Sequence, residues 1–326
     1  VFGESAGAMS LGALLAAPAA RGLFRRAVLQ SGAAAHVGSR EATARQGRAF
    51  LEALDFDRFD TERLRELPAA AILEAQQAST RRPTEAILLP WQPVYGDDLL
   101  PRRPLEAIAD GAAAGIELLV GTNADEWKLF TAGMLRLHRL CEAELEARAQ
   151  RLFRRHGLFD VDARRAVEIY RAGRTEDASP YELWVAMRTD EIFRIPAVEL
   201  LEAQAAHEPR VFSYRLDLPV PAMPDLLGAC HGSDLPLLFG SFDHPYLLPF
   251  YLHRRSARQL SERMQDAWTA FARRGSPAHG SVGPWPSWDP VARKTLLLDR
   301  RCSLERAPHE AERRIWSGAA TPVLTS

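Results

Sequence analysis

The chain has 326 residues, 47% hydrophobic and 25% charged, the balance of a globular protein with enough length for a sizeable core. Its 41 Lys and Arg face 42 Asp and Glu, a net charge of −1 that argues against a dedicated nucleic-acid binder. No apolar run reaches the roughly eighteen residues of a membrane span, and Cys141, Cys230 and Cys302 lie too far apart for a CxxC pair or a zinc-ligand spacing.

In chain order, Ala6–Ala17 is rich in Ala, Leu, Met and Gly, stops at Pro18, and reads as a helix. Arg26–Gly32 is a short apolar run closed by glycine, which suits a buried strand. Residues 41–78 set Leu, Phe and Ile among Arg and Glu at helical spacing, and a loop rich in Pro and Gly follows at 83–104. Ile116–Gly121 is a second strand candidate, and residues 140–172 and 181–207 predict amphipathic helices with Arg-rich outer faces. Val211–Leu216 alternates as a strand, residues 256–274 form a helix ended by Gly275-Ser276-Pro277, and Thr295–Asp299 is a final strand. Strands separated by helical stretches predict an α/β layered fold with a mainly parallel sheet. The pairs Arg25-Arg26, Arg81-Arg82, Arg102-Arg103, Arg154-Arg155 and Arg254-Arg255 are expected on a solvated face. Trp285, Trp288 and Trp316 are expected to pack the C-terminal region onto the core.

Gly3-Glu4-Ser5-Ala6-Gly7 matches the G-x-S-x-G nucleophile elbow. A serine hydroxyl needs a base to take its proton and must stand clear of the backbone to reach a carbonyl. A sharp strand-to-helix turn lifts it out, glycines on either side give the backbone room, and the Ala6 amide at the helix start can face an oxyanion. Three fixed positions do not by themselves separate a catalytic serine from a Gly-rich turn. A base and an acid are needed, in the chain order Ser, acid, His for this elbow. Of nine histidines, eight sit among charged or turn residues and read as solvent-facing or loop groups. His231 lies in the small-residue loop Gly228–Asp234, where a side chain can lean over a sheet. For the acid, Asp125 and Glu126 both follow the strand candidate at 116–121, at a carboxyl end where such sites gather. Spacing leaves them equal.

The blocks Phe2–Ala8, Leu23–Gly32, Pro93–Asp97, Gly121–Glu126, Phe193–Ala197, His231–Pro236 with Phe239-Gly240, and Trp285–Pro290 resemble the type-B carboxylesterases. The resemblance runs almost end to end and implies an α/β-hydrolase fold, a mainly parallel sheet with helices on both faces. It implies Ser5 as nucleophile, Glu126 as triad acid, His231 as general base and Ala6 as an oxyanion donor, acting on small-molecule carboxylic esters with no cofactor or metal. Ser31 and Asp190 resemble family positions that pack near the triad, with a role as buried structural polar groups as the alternative, and Asp234 is expected to back the His231 side of the site. Two residues depart from the pattern: Trp127 stands where the family often has glycine, and Asp234 where many relatives have Glu. By the same resemblance, residues 1–326 are expected to be a partial domain that opens on the stump of the elbow strand. The Gly-rich oxyanion loop and the early strands would then lie upstream, and the isolated chain would be poorly folded and nearly inactive. The alternative is a non-catalytic binding module on the same fold, from which the retained Ser, acid and His separate this chain.

Overall fold

The computed structural model describes residues 1–80, 91–174, 177–251 and 255–317. Strands β1 (Phe2–Glu4), β2 (Arg26–Gln30), β3 (Gly38–Ser39), β4 (Val94–Tyr95), β5 (Glu117–Asn123), β6 (Val211–Leu216), β7 (Thr295–Leu298) and β8 (Ser303–Glu305) form two sheets. The main sheet runs β1-β2-β5-β6-β7-β8, parallel from β1 to β7, with β8 antiparallel at the edge. β3 and β4 make a small parallel pair of their own.

Strand alternation sorts the side chains into two layers. Leu118, Val120 and Val211 point to a layer shared with helices Ala6–Ala16 and Ile195–Ala205. Leu119, Phe212, Tyr214 and Leu216 point to the layer under helix Arg255–Arg274. The central strands are buried on both faces, as β5 is along its whole length, which is why they read as continuous apolar runs. Helix Ala6–Ala16 uses small residues because it lies close on the strand ends. A Cβ on Gly12 would sit 2.6 Å from the Ala33 carbonyl oxygen. A third apolar cluster joins helices Glu142–Arg155, Ala163–Ala172 and Pro180–Thr189 outside the sheet.

Several expectations need correction. The helix expected over 140–172 is two helices, Glu142–Arg155 and Ala163–Ala172, broken at Gly157 with φ 74°. The stretch 181–207 is Pro180–Thr189 and Ile195–Ala205 joined by a single π turn at Asp190–Arg194. Residues 41–78 hold three helices, Arg40–Ala53, Thr61–Glu66 and Ala69–Thr80, because the Asp60 side chain caps a new start. The β2 ladder ends at Gln30 instead of Gly32, since Ser31 turns to φ 50°.

The Arg pairs do not all face solvent. Arg26 Nε donates to Glu117 Oε2 at 2.5 Å, and Glu117 is buried. His156 is buried too, with Nε2 2.7 Å from Glu191 Oε1, because the end of its helix packs against the π turn. Arg81-Arg82, Arg254 and His253 lie outside the described residues. The three tryptophans are buried, Trp288 in the first layer, Trp285 in the second and Trp316 in the outer cluster. Among the described residues no helix is long and apolar enough to cross a membrane.

Candidate active site

Ser5 stands between β1 and helix Ala6–Ala16, at φ 55° and ψ −121°. Such a backbone is strained for a residue with a Cβ, and it survives only where the surroundings impose it. Here they do. Ser5 N–H donates to the Gln30 carbonyl at 2.9 Å, the Ser5 carbonyl accepts from Met9 N–H at 2.9 Å, and Gly32 backs the turn. A Cβ on Gly32 would lie 2.6 Å from the Ser5 carbonyl oxygen, and one on Gly3 would lie 2.5 Å from the Gly7 carbonyl carbon. A Cβ on Gly7 would meet nothing within 4 Å among the described residues beyond its own helix backbone, so crowding calls for glycine on only one side of the elbow. Ala6 opens the helix, so its N–H is one of the four without an intrahelical partner.

The carboxyl end of β5 leads into Asp125 and Glu126 and fastens the loop that carries His231. Asn123 Nδ2 donates to the Cys230 carbonyl at 2.8 Å, Asp125 N–H to the Ala229 carbonyl at 3.0 Å, and His231 N–H to the Glu126 carbonyl at 3.3 Å. The two acids that spacing left equal have different surroundings. Asp125 accepts from the Ala229 amide at 3.1 Å and pairs with Lys128 at 3.4 Å. Glu126 is fully buried, with Oε1 accepting from Asn123 N–H at 2.7 Å and Oε2 2.7 Å from His231 Nδ1. His231 Nε2 is 2.8 Å from Ser5 Oγ. An Nδ1 that faces a carboxylate carries the ring proton, which leaves Nε2 as the acceptor for the Ser5 hydroxyl. Burial alone would lower the His231 pKa, but the hydrogen bond and charge of Glu126, with the charges of Glu4 and Asp234, outweigh it and raise the value.

Glu4 is the residue that motif reading missed. Its Oε1 lies 3.3 Å from His231 Nε2, and burial pushes its carboxyl from 4.5 up to about 7 despite the attraction of His231. The signal was an ionisable side chain at a variable position inside the elbow. Asp234 is fully buried and accepts from Gln30 Nε2 at 2.6 Å, while Gln30 Oε1 accepts from Trp268 Nε1 at 3.2 Å. Burial raises the Asp234 carboxyl as well. Ser31 is fully buried beside the elbow, and its Oγ has no hydrogen-bond partner among the described residues.

Asp190 makes no described hydrogen bond or ion pair with Ser5, Glu126 or His231. It accepts from Tyr170 Oη at 2.5 Å and pairs side-on with Arg194 at 2.5 and 2.6 Å. Trp127 is buried under Arg188, whose guanidinium lies 4.3 Å from its ring centre, and it packs against Phe130. Phe130 and Phe193 flank the His231 ring at 5.3 and 4.8 Å. Cys230 is buried, and its thiol is pushed up to about 12, whereas Cys141 is exposed.

A mainly parallel sheet, helices on both faces and a serine at a strained strand-to-helix turn define an α/β-hydrolase. The sequence matches the Carboxylesterase family over residues 1–316, and the chain belongs to that family. It is 35% identical to the para-nitrobenzyl esterase of Bacillus subtilis over 315 residues, which are 96% of this chain and 60% of that protein. It is 29% identical to the phenmedipham hydrolase of Pseudarthrobacter oxydans, over 88% of this chain and 56% of that protein. The Geobacillus stearothermophilus carboxylesterase EST55 structure superposes with a TM-score of 0.81 at 30% identity, over 97% of this chain and 63% of that one. The chain thus spans about three fifths of the length of these relatives.

Proposed function

We propose that the protein hydrolyses carboxylic esters through an acyl-enzyme, with Ser5 as nucleophile, His231 as general base and Glu126 as the acid that orients it. The observation that carries this reading is the continuous hydrogen-bonded line from Ser5 Oγ to His231 to Glu126, at 2.8 and 2.7 Å. Ser5 Oγ attacks the ester carbonyl carbon as His231 Nε2 takes its proton. Glu126 holds the resulting imidazolium. The Ala6 amide donates to the oxyanion, a contact of the kind worth roughly 10²–10³ in rate. The tetrahedral intermediate collapses, His231 returns the proton to the alkoxide, and the alcohol leaves. Water, deprotonated by His231, then attacks the acyl-Ser5 ester and releases the carboxylic acid and the free serine.

Membership of the carboxylesterase family and the esterase names of the relatives support a small-molecule ester as substrate. The apolar flank of Phe130 and Phe193 against His231 favours esters with an aromatic or aliphatic group over strongly charged ones. Glu4 and Asp234 would tune the charge state of His231, while Asp190 and Arg194 would brace the π turn that carries Phe193. Steady-state hydrolysis of a p-nitrophenyl ester by the whole protein tests the reading. Turnover that disappears in Ser5→Ala is expected, and turnover unchanged in Ser5→Ala would overturn it.

A further inference from the structure

A second built feature lies away from Ser5, where the ends of β5 and β6 meet the C-terminal segment 292–316. A cavity of about 40 Å³ sits there, enough for about one to three water-sized occupants and too small for an acyl chain. Arg194, Arg215, Arg293 and Arg313 line it. Each gives Nε and Nη2 to a carboxylate of its own. Arg194 pairs with Asp190 at 2.5 and 2.6 Å, and Arg215 with Asp217 at 2.6 and 2.8 Å. Arg293 pairs with Glu202 at 3.3 and 2.9 Å, and Arg313 with Glu310 at 2.8 and 2.9 Å. Side-on pairing of this kind leaves the Nη1 edge over. Arg194 Nη1 reaches the Pro308 carbonyl only at 3.4 Å, and Arg293 Nη1 lies 3.8 Å from Glu310. Arg215 Nη1 is buried with no hydrogen-bond partner among the described residues, a costly state for a charged donor.

The backbone gives a second, independent sign. Of the six non-glycine residues described at positive φ, Arg293 at 44° and Ala307 at 43° line this cavity, and His309 at 55° follows two residues on. Ser5 and Ser31, beside the candidate active site, are two of the other three. Strain of this sort gathers at ligand clamps because the surrounding structure has to impose it.

We infer that this cavity binds a small monovalent anion of about the size of chloride, held by Arg215 Nη1 with the neighbouring guanidinium edges. Glu310 lines the cavity as well, with both carboxylate oxygens bonded to Arg313, so the anion is assigned to the Nη1 edge of Arg215 that no carboxylate takes. Bound there, it ties the segment 292–316 to the end of the sheet. The competing occupant is water.

Two measurements decide between them. In crystals soaked in sodium bromide, an anomalous peak within hydrogen-bond distance of Arg215 Nη1 is expected, and a cavity holding water only overturns the inference. In thermal denaturation at constant ionic strength, replacing gluconate by chloride raises Tm by about 2 °C per tenfold increase above half-saturation, from about 2.1 cal/mol/K of unfolding entropy per residue. Arg215→Gln and, separately, Arg293→Gly (which also relieves a positive φ) remove that shift. Equal Tm in the two salts, or a shift that persists in both variants, refutes the site.

Discussion

Replacing Glu126 by Gln changes one atom and, on this geometry, reverses the hydrogen-bond polarity of the whole line. Glu126 Oε1 accepts from Asn123 N–H at 2.7 Å, so the amide oxygen of the new glutamine has to occupy that position. Its NH₂ then faces His231 Nδ1, where Glu126 Oε2 now lies 2.7 Å away. Nδ1 becomes an acceptor, the ring proton moves to Nε2, and Nε2 can no longer take the proton of Ser5. The opposite amide orientation sets two donors against each other in a buried place, at about 1–3 kcal/mol. The lost carboxylate also no longer stabilises the imidazolium, an interaction of about 4 kcal/mol for charges about 4 Å apart at an effective dielectric constant of about 20. The two effects together predict a fall in kcat of about 10⁴-fold, the size typical of this change in a serine triad. The assay is steady-state p-nitrophenyl ester hydrolysis by the whole protein, with thermal denaturation run beside it. A Glu126→Gln variant that folds normally and keeps kcat within about tenfold of the parent would refute the reasoning.

Three further substitutions test the surroundings. Glu4→Gln removes a carboxyl that burial holds at about 7 against its ordinary 4.5. Because the folded pKa is the higher one, the group favours folding below 4.5, and that contribution is lost as pH rises towards about 7. Urea unfolding should show the parent losing stability relative to Glu4→Gln between about pH 5 and about pH 8; parallel pH profiles would contradict this. Gly32→Ala places a Cβ 2.6 Å from the Ser5 carbonyl oxygen, so a loss of about 1–3 kcal/mol in chemical denaturation is expected, with a fall in kcat as the elbow shifts. A neutral result would mean that the elbow has slack. Asp190→Ala leaves Arg194 buried without its bidentate partner and should cost about 3–5 kcal/mol, read by the same method; a cost under about 1 kcal/mol would remove Asp190 from the frame that holds the π turn.

Much of this molecule can be read from its residues, and the gaps have physical causes. Periodicity locates the central strands because burial on both faces leaves them apolar, as at Leu118, Leu119 and Val120. It runs helices together where one left-handed glycine, Gly157, or one π turn, Asp190–Arg194, breaks the register without a strong change in composition. The elbow and the His231 loop are local and legible. The choice between Asp125 and Glu126 is not, because it depends on which side chain faces a loop about a hundred residues away, where Ala229 N–H takes one carboxylate and His231 takes the other. The same distance in sequence hides the pairing of Arg26 and the burial of His156, whose partners Glu117 and Glu191 come from other elements. Glu4 was in plain view inside the motif, but its closeness to His231 arises only once the strand and the loop meet.

The most direct measurement of the central claim is covalent labelling of the whole protein with a fluorophosphonate, followed by peptide mass spectrometry. A single adduct on Ser5 is expected, formed much more slowly in His231→Ala and absent in Ser5→Ala. An adduct on another serine, or none on Ser5 in a folded protein, would contradict it.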